Sequence, residues 1–182
     1  MSSEQGILKI VVSGPESSGK TTLAAALSDQ LAAPVVPEFA REYLAHLGRA
    51  YQREDLAAIG AGQQAWERWY EQRLHAEPQG KLLICDTDWT VLHVWEQYRF
   101  QAKEAFRWQQ GYTGHAPADL YLLCAPDFPW QPDPLREHPE ERNVLFGLYR
   151  VLLEGLPARF IILEGPADGR LEMATAAIRK LL

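Results

Sequence analysis

Directly after an apolar run from Ile7 to Val12, the chain reads Gly14-Pro15-Glu16-Ser17-Ser18-Gly19-Lys20-Thr21, the pattern G-x-x-x-x-G-K-[ST]. Placed between an apolar run and an apolar-periodic segment, this loop constrains the fold to strand, phosphate-binding turn and helix. The glycines let the backbone turn its N–H groups inward, Lys20 can reach the β and γ phosphates, and the Thr21 hydroxyl suits Mg2+. The helix expected from Lys20 through Leu23, Ala26, Leu27 and Leu31 points its positive end at the same anion. An ordinary glycine-rich turn gives no reason for Lys and Thr to follow the last Gly. The stretch therefore predicts a nucleotide site made by Gly14, Glu16, Ser17, Ser18, Gly19, Lys20, Thr21 and Thr22.

Short apolar runs at Ala33 to Val36, Lys81 to Cys85, Leu120 to Cys124 and Arg159 to Leu163 read as four further strands. Helical patterns alternate with them: Phe39 to Leu47, Asp55 to Ala76, Thr90 to Phe106, Arg142 to Leu153, and Arg170 to Leu182 opening after Asp168-Gly169. Alternation of this kind predicts a parallel sheet covered on both faces. The fold class expected is an α/β P-loop sandwich with a five-stranded parallel sheet and a lid at about 126–142, all in one domain over 1–182. Ligands of such sheets sit beyond the carboxyl ends of the strands.

Those ends carry the candidate chemistry. Asp86, just past Leu82-Leu83-Ile84-Cys85, has the placement of the second acidic residue of a nucleotide site and pairs with Thr21 as a metal ligand. Asp88 faces the cavity mouth if the chain stays extended; the alternative is that it caps the helix starting near Thr90. Glu38 and Arg41, three apart at a helix start, can lean toward one pocket. Glu38 then accepts a proton from a sugar hydroxyl, or is simply a first-turn acid favoured by the helix dipole. Arg41 with Glu42 can equally be a surface pair.

The stretch from Pro126 to Pro139 holds five of the twelve prolines, and the segment as far as Arg142 also carries Trp130 and Arg136. Transferring a γ-phosphoryl group spreads charge over its oxygens and requires water to be kept out, so Arg136 and Arg142 are lid candidates; the alternative is a solvated proline-rich loop with ordinary charges. Gln64, Trp66, Trp69 and Tyr70 lie on the long helix. That stripe is either core or a cation-binding face for a planar ring. Trp89, Trp95 and Trp108 are read as packing residues. Cys85 and Cys124 lie in apolar runs without a C-x-x-C partner and read as buried packing.

A net charge of −6 with no Lys/Arg block disfavours a nucleic-acid partner and fits a neutral or cationic small substrate. No apolar run approaches the ~18 residues of a bilayer span, so the expectation is a cytosolic protein without a membrane partner.

Taken together, the Glu-Ser-Ser loop, Glu38-Phe39-Ala40-Arg41-Glu42-Tyr43, Asp86-Thr87-Asp88 followed by Thr90, and Pro129-Trp130-Gln131-Pro132-Asp133-Pro134-Leu135-Arg136 resemble the ribosylnicotinamide kinase domain of the NadR proteins over nearly the whole chain. The resemblance implies transfer of the γ-phosphate of ATP to the 5′-hydroxyl of nicotinamide riboside, with Mg2+. Lys20 and the loop amides would hold phosphates, Thr21 and Asp86 the metal, and Glu38 or Asp88 the ribose. The pyridinium would lie on Trp66 and Trp69, with Arg41, Gln64 and Trp130 also on the substrate side. Related proteins carry a helix-turn-helix and an adenylyltransferase domain before the kinase; neither fits in the six residues preceding the first strand. Dinucleotide synthesis and transcriptional control are therefore not expected. Pro37 stands where some relatives place an aromatic, which leaves another nucleoside or a nucleoside monophosphate open as acceptor. An ATP-sensing module without catalysis is the reading from a different class.

Overall fold

The computed structural model describes residues 6–76, 81–101, 117–133, 136 and 138–182. Five strands alternate with helices: β1 (Leu8–Ser13), α1 (Lys20–Leu31), β2 (Val35–Val36), α2 (Phe39–Leu47), α3 (Asp55–His75), β3 (Leu82–Asp86), α4 (Trp89–Arg99), β4 (Leu120–Cys124), α5 (Arg142–Glu154), β5 (Arg159–Leu163) and α6 (Ala167–Arg179). All pairings are parallel and the order is β2-β3-β1-β4-β5. The central strand β1 pairs Ile10 with Ile84 on one side and with Leu120 on the other. Burial on both faces explains why β1, β3 and β4 read as continuous apolar runs rather than alternating ones.

Alternate residues of the sheet feed two cores. Val11, Leu83, Cys85, Tyr121 and Leu123 pack on the side that includes Leu56 and Ile59 of α3, Val91 of α4 and Leu145 of α5. Ile10, Val12, Ile84, Leu122 and Cys124 pack with Leu23 and Leu27 of α1 and Ala174 and Ile178 of α6. The result is the three-layer sandwich that the strand–helix alternation implies. Both cysteines are buried and unpaired. No helix of the described residues is long and apolar enough to cross a membrane.

Several boundaries differ from the sequence reading. The second strand is only Val35–Val36, because Pro34 has no N–H for the ladder; its carbonyl still accepts from Ile84 N at 3.1 Å. The third starts one residue later and ends on Asp86, which lies opposite Val12. The last helix begins at Ala167, not Arg170: Pro166 is its extended N-cap, and Asp168 falls in the first turn, where the helix dipole favours an acid. The fourth helix ends at Arg99 with Phe100 as its C-cap and Gln101 at φ +48°, so it stops short of the expected Phe106; residues 102–106 and Trp108 lie outside the described residues, as do Pro134, Leu135 and Glu137 of the lid.

Helices α2 and α3 meet where Gly62 faces Phe39. A Cβ on Gly62 would lie 2.1 Å from the Phe39 ring, so this ring rests against bare backbone. Gly62→Ala is expected to destabilise by about 1–3 kcal/mol through overpacking, lowering Tm by several degrees in a thermal melt. An unchanged Tm would mean that Phe39 is free to move.

Candidate active site

The phosphate loop leaves the end of β1 and enters α1 at Lys20. Gly14 has φ +136°, and a Cβ there would come within 2.6 Å of the Cys124 carbonyl oxygen. Gly19 has φ +82°, and its Cβ would strike the Phe128 ring at 2.7 Å. Both positions thus need glycine for conformation and for space. Inside the loop the Pro15 carbonyl accepts from Ser18 Oγ and from Lys20 Nζ, each at 2.8 Å. Gly14, Glu16, Ser17, Ser18, Gly19, Lys20, Thr21 and Thr22 all line one cavity of about 460 Å3.

Of the three acids singled out in the sequence, two point at this loop. Glu38 lines the cavity from the start of α2 and makes no capping bond to its own helix. Burial raises its carboxyl above the ordinary value against the opposing charge of Lys20; Asp86 and Glu16 push the same way as burial, Arg41 against it. Asp86 is 4 % exposed. Its carboxyl is also raised by burial, opposed by a hydrogen bond with the Thr21 side chain and by Lys20 and Arg41. The Asp86 Oδ1 atom has no hydrogen-bond partner although it is buried.

Asp88 is turned away. Thr87, between the two aspartates, has φ +73°, and this left-handed residue reverses the direction of the next side chain. Asp88 is 1 % exposed and caps α4, accepting from Thr90 N (2.9 Å) and Thr90 Oγ1 (2.6 Å), while its second oxygen accepts from the Tyr121 hydroxyl (3.0 Å). The extended-chain premise that put it at the cavity mouth does not hold, and the capping alternative describes it.

The lid candidates divide in the same manner. Arg136 lines the cavity and donates through Nη1 to Ser17 Oγ at 3.0 Å and to the Gln131 carbonyl at 2.6 Å. Gln131 N also donates to Ser17 Oγ (3.2 Å), and His138 N donates to Glu16 (3.2 Å), so this segment is seated on the phosphate loop. Arg41, also on the cavity, ties α2 to the segment through Asp133 at 3.0 Å. Arg142 instead donates to the Phe128 carbonyl (2.8 Å) and lies 5.9 Å from the Trp130 ring, so both residues brace the root of the segment rather than line the cavity.

The aromatic stripe of α3 is not part of the cavity. Trp66 packs edge-on against Phe39 at 4.9 Å; Trp69 is 51 % exposed, with Tyr70 on its edge and the Arg73 guanidinium over its face at 4.6 Å; Gln64 pairs with Arg68. The apolar end of the cavity is made by Ala40, Leu44, Val91, Trp95, Leu145 and Tyr149. Trp95 and Tyr149 were not read as site residues. Nothing in the sequence separates them from core aromatics, because only the packing of α4 against α5 brings both to the cavity wall. Arg170 was missed for the same reason: it looks like an ordinary helix arginine, yet it is 2 % exposed and lines the cavity beneath the loop.

No group of three or more His, Cys, Asp or Glu among the described residues is gathered to hold a metal by itself. A Mg2+ that takes most of its oxygens from phosphates and water needs only one or two protein ligands. The orphaned Asp86 oxygen beside the Thr21 hydroxyl fits that requirement.

Comparison with known proteins agrees with this fold. A family model described as an AAA domain matches residues 9–170. No curated protein matches the sequence. Among solved structures, a NadR protein in complex with NR superposes with a TM-score of 0.74 at 27% identity, over 96% of this chain and 51% of that one. A NadR protein in complex with NAD and AMP-PNP gives 0.71 at 26% identity, over 96% and 49%. The chain therefore spans about half the length of these NadR chains. A thymidylate kinase from Ehrlichia chaffeensis shares the fold, with a TM-score of 0.67 at 15% identity over 96% of this chain and 99% of that one. With sheet order, phosphate loop and a match over most of its length in agreement, the chain belongs to the AAA-domain family, with a P-loop fold resembling that of the NadR structures.

Proposed function

We propose that the chain is one kinase domain that transfers the γ-phosphoryl group of ATP to the 5′-hydroxyl of nicotinamide riboside, giving nicotinamide mononucleotide and ADP. The observation that carries this reading is the cavity itself. One cavity is lined by the phosphate loop, by Glu38 and by an apolar set that includes Trp95 and Tyr149. The fold likeness to a NadR protein bound to NR supports the choice of acceptor.

Lys20 leaves the Pro15 carbonyl, where Nζ is now held, to meet the β and γ phosphates. Arg136, already seated on Ser17, faces the equatorial oxygens of the transferring group. Glu38 accepts the 5′-hydroxyl proton as the new O–P bond forms and the bond to ADP breaks. Thr21 and Asp86 would hold Mg2+, which would supply neutralisation of the phosphate charge. The segment lying over Ser17 and Glu16 keeps water from competing with the acceptor. The pyridinium of nicotinamide riboside suits an indole and phenol pair, and a cation over such a face gains about 0.5–2 kcal/mol.

Trp95→Leu is accordingly expected to raise KM for nicotinamide riboside by about 2- to 30-fold, the same range expressed as a ratio. Trp69→Ala should leave KM within twofold of wild type. Reversal of these two effects in steady-state kinetics would move the ring site to α3. The function itself is tested by ADP release with nicotinamide riboside, against common nucleosides and nucleoside monophosphates. Turnover confined to a monophosphate would favour the second reading, for which the observation is Arg41 on the cavity wall, a cation suited to an acceptor phosphate. Its engagement by Asp133 weighs against that role.

A further inference from the structure

Arg170 engages all three of its guanidinium nitrogens with the backbone of three loops and with one carboxylate. Nε donates to the Gly165 carbonyl (2.8 Å), Nη1 to the Ser18 carbonyl (2.9 Å), and Nη2 to the Ala125 carbonyl (3.0 Å) and Asp127 Oδ2 (2.9 Å). Asp127 Oδ2 also accepts from Gly165 N at 2.7 Å, which ties the exit of β5 to the exit of β4. The guanidinium lies 4.4 Å from the centroid of the Phe128 ring, and that ring covers Gly19, where a Cβ would be 2.7 Å from it. A buried cation is costly unless it is fully hydrogen-bonded, and a planar fork that also stacks is a role lysine cannot fill.

We infer that Arg170 is a positioning residue for the donor phosphates, acting through the phosphate loop rather than by contact with the nucleotide. Its Nη1 donates to the carbonyl of the peptide whose N–H belongs to Gly19. A carbonyl that accepts from a charged donor polarises its own amide and makes that N–H a stronger donor. The Gly19 N–H is one of the loop amides that cradle phosphate. The stacked Phe128 ring fixes the same residue from the side, and the Asp127 bridge holds the guanidinium in its plane. All three nitrogens of Arg170 are engaged by protein acceptors, so its route to the phosphates runs through the loop. The inference rests on phosphate binding by this loop and is independent of which acceptor is phosphorylated.

The test is equilibrium binding of ATP and of inorganic tripolyphosphate, each competed against a fluorescent ATP analogue, with wild type, Arg170→Lys and Phe128→Leu. Arg170→Lys is expected to weaken ATP and tripolyphosphate by the same factor, about tenfold or more, while KM for the nucleoside acceptor stays within twofold. Phe128→Leu keeps the polar contacts and should weaken both ligands by a smaller common factor. It also decides the matter should Arg170→Lys fail to fold. Loss of ATP affinity with tripolyphosphate unchanged would assign the residue to the base. A lower Tm with both affinities unchanged would make it purely structural. Either result overturns the inference. Absence of ATP binding by wild type would instead remove the nucleotide reading of the loop, and is distinguishable from both.

Discussion

Lys20→Ala is expected to lower kcat for phosphoryl transfer by about 10²–10³-fold, the usual loss when one preorganised donor to transition-state charge is removed. Lys20 stands at the first residue of α1 with its ammonium folded back on the Pro15 carbonyl. That carbonyl keeps Ser18 Oγ as a donor after the substitution, so the loop retains a hydrogen bond and the fold is expected to persist. Steady-state ADP release and a thermal melt check the two halves together. Full activity in a folded Lys20→Ala protein would remove the phosphate loop from the chemistry.

The second large effect is at Glu38, where activity and stability are expected to move in opposite directions. Glu38→Gln removes the proton acceptor and should reduce kcat by about 10²-fold or more. Burial raises this carboxyl above its unfolded value of 4.5, so the folded state binds the proton more tightly than the unfolded one. Stability contributed by the protonated acid is present below the unfolded value and is lost as pH rises through the folded one. At neutral pH, above the unfolded value, the wild-type carboxyl therefore costs stability that the glutamine amide does not, and Glu38→Gln should melt at a higher temperature than wild type. The gain should shrink as pH falls below the folded value. Asp86 is raised for the same first reason, burial, and adds a cost of the same sign. In the active enzyme, turnover should fall on the acid side with a midpoint above the ordinary glutamate range, and Glu38→Gln should abolish that limb. A Glu38→Gln protein that is both active and less stable would contradict the assignment.

How far the sequence carried these conclusions depends on the range of the interactions involved. The phosphate loop was legible because its chemistry is local: two glycines, a lysine and a threonine at fixed spacing between strand and helix. The sheet was legible because parallel strands buried on both faces leave short apolar runs. Asp86 followed from its position at the end of β3. Asp88 did not, because one left-handed residue, Thr87, reverses the side-chain direction that an extended chain would give. The aromatic stripe of α3 shows the limit of periodicity. Spacing correctly groups Trp66 with Tyr70, which pack against the core, but it does not say which face of the helix meets a ligand. Trp95, Tyr149 and Arg170 were invisible as site residues since their surroundings come from α4, α5 and loops distant in sequence. The fold brings Arg170 onto Ser18 across the intervening chain, and no local pattern marks that contact.

The most direct test is a crystal structure of the protein with Mg2+, AMP-PNP and nicotinamide riboside. The expected result places the nicotinamide ring between Trp95 and Tyr149, the 5′-hydroxyl within about 3 Å of both the Glu38 carboxylate and the γ-phosphorus, and Lys20 on the phosphates, following the distances of a near-attack arrangement. A ring lying on Trp69, or a 5′-hydroxyl out of reach of Glu38, would contradict the arrangement at its centre.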